Sequence, residues 1–384
     1  TALLAPSLLA LTAGLGAAEF SPVPVGSRPA GGPQPLPAPK AQDETPVIGS
    51  GPALVVSATR LDSDPAVQPY ALHQHDKVSL DQTNARTLTD KLNYTPGIYV
   101  QHTAPNQASP YIRGLTGEQT LLLFDGVRLS HAMMRPGANQ YSAMIPDEAV
   151  GRIDTILGSS STVTGSDGLT GAIDFRLAEA GRDADTALRP VAGTRYGSAD
   201  GASAFAGIDG RSHGFAYSAE FSHAEYHELR GGKDAGDHLF GDAAGSQRIP
   251  NSEYRQVGYG TRVAYEGWDD HRTDLALGFV RQSDAPRPDG YEENSGNPAR
   301  ISRYYAPQDF TYLHLRHAAR FDGPVQRAQA TVWWHQHVEN QFREDIQGTI
   351  GSGTERYRRR EYEDQVDTIG LDLQLGSLVA DTHS

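Results

Sequence analysis

From residue 185 to residue 378 apolar and polar positions alternate. Phe215, Tyr217, Ala219 and Phe221 take every second place, with Ala216, Ser218 and Glu220 between them. Leu275, Leu277 and Phe279 alternate with Asp274, Ala276 and Gly278, and Leu313 and Leu315 with His314 and Arg316. Val332 and Trp334 alternate with Thr331, Trp333 and His335, and Ile369, Leu371, Leu373 and Leu375 with Gly370, Asp372 and Gln374. A side-chain period of two marks strands with one apolar face. It predicts about eight strands, near 187–197, 201–211, 213–226, 252–266, 271–283, 308–321, 325–340 and 362–377. Some connections are short, such as Gly210-Arg211-Ser212, Trp268-Asp269-Asp270 and Asp322-Gly323-Pro324; others, near 227–251, 284–307 and 341–361, are long and polar. Short turns on one side, long loops on the other and long strands suit a transmembrane β-barrel. Soluble β-sandwich strands are shorter, about five to six residues.

Residues 53–178 follow a different pattern, that of a compact α+β domain. Leu54-Val55-Val56 is a strand candidate. Thr83 or Asn84 is placed to cap a helix over 85–93, with Leu88 and Leu92 one turn apart and Pro96-Gly97 as its stop. Short strands are expected at 98–100, 111–113, 121–124, 153–157 and 172–177, with glycines marking the connections.

The first 52 residues carry no core. Residues 2–15 are nearly all apolar or small, and Gly16-Ala17-Ala18 offers small residues for cleavage. Residues 1–18 therefore read as the end of a signal peptide whose basic start is absent, and the chain is expected to be exported. Residues 19–52 form a Pro-rich, extended linker.

Composition narrows the chemistry. With 384 residues the chain has room for two or more domains. It has no cysteine, which excludes disulfides, thiolate metal sites and cysteine nucleophiles. A net charge of −14 argues against a nucleic-acid partner. No spacing supplies a nucleophile, base and oxyanion donor together, so no enzyme is expected. Gly114-Leu115-Thr116-Gly117 lacks the lysine and helix of a phosphate loop. There are 14 histidines. His335 and His337 share one strand face, as do His223 and Glu225. Imidazole binds iron and zinc, but polar residues facing a wet barrel interior are the plainer reading, and no metal or cofactor is expected.

Six blocks within 53–178 resemble, in order, the plug domain of TonB-dependent outer-membrane receptors. They are Leu54-Val55-Val56-Ser57-Ala58-Thr59-Arg60; Leu88-Thr89-Asp90-Lys91-Leu92 with Thr95-Pro96-Gly97-Ile98; and Tyr111-Ile112-Arg113-Gly114-Leu115. The others are the strand and Asp125-Gly126 turn of 121–128; Arg152-Ile153-Asp154-Thr155-Ile156-Leu157-Gly158; and the Gly165–Asp174 block. The resemblance implies an α+β plug (53–178), then antiparallel strands of an incomplete transmembrane β-barrel (179–384). About 22 strands are needed to enclose a plug, so the chain is expected to be part of a longer protein. It departs from the family at Gly151, where Glu is usual, and at Leu157-Gly158-Ser159 and Thr164-Gly165.

The resemblance also implies function: active uptake of a scarce nutrient across the bacterial outer membrane. The ligand class is an iron chelate (siderophore or haem) or a cobalamin, and the partners are TonB and outer-membrane lipids. TonB would pair edge-on with a short extended segment. The candidates are Glu44, Thr45, Val47 and Ile48, or Leu54, Val55 and Val56. Arg113 and Arg152 are the candidates for a charged lock between plug and barrel wall. Two plug loops are candidates for ligand contact, one with His102 and Asn106, the other with Arg135, Asn139, Gln140 and Tyr141. Arg135 is suited to an anionic ligand group. A non-transporting surface binder or sensor with a receptor-like plug, and a secreted soluble β-rich adhesin, are the alternatives.

Overall fold

The computed structural model describes residues 71–377 apart from 135–136, 139, 162–164, 182–185, 198–200, 232–247, 250, 289–291, 294–299 and 348–352. The expected signal segment, linker, first strand and both TonB-pairing candidates lie outside the described residues.

Strand β1 (Ala71–Asp76) runs into a short helix, α1 (Lys77–Gln82). The Asp76 carboxylate caps it, accepting from the Ser79 amide at 2.9 Å. Thr83 closes this helix, its amide donating to the Leu80 carbonyl. It is therefore not free to open the next one, as the sequence reading expected. In place of an α-helix over 85–93 there is a 3-10 helix, Leu88–Tyr94, opened by Thr87. Thr87 and Asp90 form a capping box: each side chain accepts the other's amide, at 3.1 and 3.3 Å. Leu88 and Leu92 point into the core as expected.

A hairpin, β2 (Ile98–Ala104) and β3 (Gln107–Ile112), follows. The plug sheet is completed by β4 (Thr120–Phe124), β5 (Val127–Arg128), β6 (Val150–Leu157) and β7 (Gly171–Leu177), in the order β1-β6-β7-β4-β5. β4 and β7 run parallel and the other neighbours antiparallel. Every residue of β4 is buried, which is why it reads as a continuous apolar run. Asp125 and Gly126 both have positive φ, 51° and 84°, the geometry of a tight hairpin turn with the twist of its strands.

The second sheet is an up-and-down meander. Its long strands are β8 (Arg189–Gly197), β9 (Gly201–Ser212) and β10 (Phe215–Tyr226). Two-residue strands β11 (Leu229–Arg230) and β12 (Arg248–Ile249) pair within the next loop. β13 (Tyr254–Trp268) and β14 (His271–Ser283) come next, then the short β15 (Ala285–Pro286) and β16 (Glu292–Glu293), both added to β17. β17 (Arg300–Arg320), β18 (Arg327–Gln347) and β19 (Arg356–Gly376) complete it. Among the described residues the order is β19-β18-β17-β14-β13-β10-β9-β8, with β19 and β8 as its ends.

The alternation locates all the long strands. The upper ends of the last three extend further than expected, and much of the predicted loops 284–307 and 341–361 is strand. β17, β18 and β19 have 21 residues each, roughly 70 Å, against about 25 Å for a membrane's apolar band. Above that band both faces are wet, so the ladder continues without the apolar alternation that reveals it.

The outer face fits a bilayer. Leu371, Val332, Leu315, Leu275, Val263 and Tyr217 stand in one row across six strands. Phe221, Tyr259 and Phe279 make an aromatic row above it, and Phe215, Tyr265 and Trp268 an aromatic group below. The inner face belongs to the plug: Ala276, Phe310 and Tyr312 join the plug's own apolar core. Gly278 makes room for Tyr312, since a Cβ there would lie 2.4 Å from its hydroxyl.

Candidate functional site

The seam between plug and wall is the site this fold builds, and it has two unlike parts. The first surrounds the Asp125 turn at the short-turn end. Asp125 is 4% exposed. Arg316 of β17 donates to its carbonyl and, at 3.0 Å, to its carboxylate. Arg176 of β7 lies 4.0 Å away and the His314 ring nitrogen 3.7 Å away. Burial opposes the Asp125 charge, but Arg316, Arg262, His314 and Arg176 outweigh it and hold the carboxyl well below its ordinary range. Arg262 of β13 also donates to the carbonyls of Leu177 and Ala178, at 3.3 and 3.2 Å, clamping the exit of the plug. Phe124 packs edge-on against Phe310 and Tyr312, at 5.7 and 4.9 Å between ring centres.

The second part lies eight residues higher on β18, about 26 Å along the strand. Glu339 accepts through one oxygen from Gln140 at 3.1 Å, Tyr141 at 3.2 Å and Gln308 at 3.2 Å. Asn106 donates to Gln282 of β14 at 3.2 Å. His131 lies with its ring centre 4.1 Å from that of His337 and 4.7 Å from that of Tyr141. Burial lowers the His131 pKa to about 4, so the ring is neutral at pH 7. Here the plug offers neutral amides, a phenol and an imidazole, where the Asp125 turn offers a full charge.

A third contact is ionic. Arg195 of β8 pairs with Asp147 and, at 3.2 Å, with Glu148. Lys91 reaches the same Asp147 at 2.6 Å. Burial raises the Glu148 pKa, with Asp147 adding to it and Arg195 opposing.

Residues 67–172 match the family model of the TonB-dependent receptor plug domain. This segment is a TonB-dependent receptor plug domain. The chain is 32% identical over 123 residues to the vitamin B12 transporter BtuB of Vibrio vulnificus, covering 32% of this chain and 20% of that relative. A BtuB of Photobacterium profundum is 28% identical over 127 residues, again 20% of its length. The aligned part thus spans about a fifth of these curated relatives. Among solved structures, the FrpB iron transporter from Neisseria meningitidis superposes with a TM-score of 0.57 at 14% identity, over 77% of this chain and 49% of that one. The copper transporter OprC gives 0.54 at 13% identity, over 79% and 47%. These structures establish the fold: a plug followed by barrel strands.

Within this structure the residues singled out from sequence are divided. Asn106, Gln140 and Tyr141, expected on ligand loops, are buried and bonded to the wall. His102, from the same group, is half-exposed and pairs with Asp90 at 2.7 Å, which raises its pKa. Arg135 and Asn139 lie outside the described residues. Arg113 and Arg152, expected to reach barrel-wall carboxylates, find their partners inside the plug. Arg113 has φ of 51° and donates to the Leu157 carbonyl at 3.2 Å. Arg152 pairs with Asp154 at 2.9 Å, its neighbour on the same strand face. The charges that span the seam have the opposite sense, arginines on the wall and carboxylates on the plug. That explains the odd Gly151: a Cβ there would lie 2.8 Å from the Ala178 Cα, so no side chain fits against this exit.

Sequence reasoning missed Arg195, Arg316, Glu339 and Asp147. Only the strand periodicity carried a signal, because it places Arg316 and His314 on the face opposite Leu313 and Leu315. His335 and His337 are buried on that inner face. Among the described residues no three His, Asp or Glu side chains converge as a metal site.

Proposed function

We propose that this chain is the plug and adjoining wall of an outer-membrane transporter that takes up a scarce nutrient, driven by TonB. The ligand class is an iron chelate (a siderophore or haem) or a cobalamin. The relatives are named for vitamin B12, iron and copper transport, which supports uptake and leaves the cargo to be determined. One observation carries the reading: beside the apolar contact of Phe124 with Phe310 and Tyr312, the plug meets the wall through ion pairs and hydrogen bonds at Asp125, Asp147 and Glu339. Ligand arrives from the long-loop side, where the Glu339 contacts yield. TonB pulls on a segment at 44–48 or 54–56, ahead of the plug. The Asp125 turn keeps the plug seated as the upper contacts part. The apolar outer rows face lipid. The reaction is transport, with no bond made or broken by the chain.

The test is uptake of labelled ferric siderophores, haem and cobalamin by cells carrying the full-length receptor. Deletion of 44–48 or of 54–56 should abolish uptake while leaving surface binding intact. Uptake that survives both deletions would refute TonB coupling and favour a passive binder.

A further inference from the structure

Above the apolar band the inner face changes character. Arg303, Arg343 and Arg360 stand directly opposite one another on β17, β18 and β19. They share the face that carries His337 and Glu339, and Arg343 lies four residues beyond Glu339, about 13 Å further up. Like charges facing each other across neighbouring strands destabilise a sheet. One carboxylate serves two of the three: Asp345 accepts from Arg343 at 2.8 Å and lies 3.3 Å from Arg360. Arg358 occupies the position opposite Asp345 on the next rung. The Arg360 Nε is buried without a hydrogen-bond partner, and Arg303 has no carboxylate partner among the described residues. In a chain of net charge −14 this concentration of positive charge is local and placed at the mouth.

Planar guanidinium groups in register match carboxylate and phosphate oxygens two at a time. Asp345, gripped by two of them, shows the chemistry the row performs. We propose that Arg303, Arg343 and Arg360 form an anion-binding ladder at the receptor mouth, and that its ligand carries at least two carboxylate or phosphate groups. The ladder faces inward, away from lipid head groups, so its ligand comes from solution. This deepens the transport reading and rests on it: the anion would dock one step above the Glu339 contacts that must open.

The experiment measures thermal stabilisation of the purified full-length receptor by acetate, succinate, citrate and pyrophosphate at matched ionic strength. Stabilisation should grow with the number of anionic groups, with citrate half-saturating at a concentration on the order of tenfold below acetate. Arg303→Gln removes no carboxylate's partner, and it should weaken citrate binding about tenfold without lowering the ligand-free melting point. The pair Arg303→Gln with Arg343→Gln leaves Asp345 paired with Arg360 and should weaken citrate binding further. A response independent of anion valence, or variants that respond like the parent, would overturn the ladder. Displacement of citrate by added lipopolysaccharide would overturn the soluble source. Failed uptake with intact citrate binding would remove the transport reading alone; normal uptake with no citrate response would remove the ladder alone.

Discussion

The Asp125 turn and the Glu339 contacts hold the same plug to the same wall by different physics. At Asp125 a buried carboxylate sits among arginines, and each charge there needs the other. At Glu339 one carboxylate oxygen collects two amides and a phenol, beside the His131–His337 ring pair. Breaking the first parts opposite charges in a dry seam; breaking the second takes amide and phenol donors from the Glu339 carboxylate. The difference makes the lower part an anchor and the upper part a latch.

The largest expected effect comes from Asp125→Asn. It takes from Arg316 its carboxylate partner, while Arg176 and Arg262 keep Asp174 and Asp274 at 3.0 and 3.1 Å, and should cost on the order of 3 kcal/mol of plug stability, read from denaturant unfolding. Glu339→Gln keeps the shape but weakens three hydrogen bonds to a charged acceptor. It should cost about 1.5–3 kcal/mol and loosen only residues 140–145 in hydrogen exchange. If it loosens 120–128 as much, the two parts are not independent. Gly151→Ala pushes a methyl group into Ala178 beside the Arg262 clamp. It should cost about 1–3 kcal/mol on the anchor side, seen as a lowered melting point with ligand binding unchanged.

Acid should separate the two parts without mutation. The folded pKa of His131, about 4, lies below the ordinary imidazole value of 6.5. The open form therefore binds a proton more readily. The latch has its full stability above pH 6.5 and loses it as pH falls toward 4, by at most about 1.4 kcal/mol per pH unit. The Asp125 carboxyl is depressed, so its contribution is present above the ordinary carboxylate range and is lost only below it. Between pH 6.5 and 4 the latch should weaken while the anchor holds. His131→Phe should reduce that sensitivity, and His131→Phe with His337→Phe should remove it, as measured by the pH dependence of exchange at 140–145.

What was legible in the sequence follows the same division between repeating and local physics. Alternation locates every long strand within the apolar band, because water on one side and lipid on the other write a period of two. It fails above the band, where Arg343, Asp345 and Arg360 continue the ladder with both faces wet. The plug's β4 is legible as an apolar run closed by Asp125-Gly126. The capping box was also there to be read, Thr87 three residues before Asp90, but Thr83 and Asn84 drew attention away. The seam was not legible at all: Asp125 and Arg316 lie 191 residues apart, and nothing local to either names the other. The family resemblance supplied a lock but pointed to Arg113 and Arg152, whose local backbone and Asp154 take them instead.

The central claim is that the latch opens while the anchor stays closed. Hydrogen–deuterium exchange of the full-length receptor in outer-membrane vesicles tests it most directly, comparing 120–128 with 140–145 at pH 7.5 and 5.5 after correction for intrinsic exchange. The account predicts a rise in exchange at 140–145 on acidification, with 120–128 unchanged. Equal opening of both segments, or opening at 120–128 first, would contradict it.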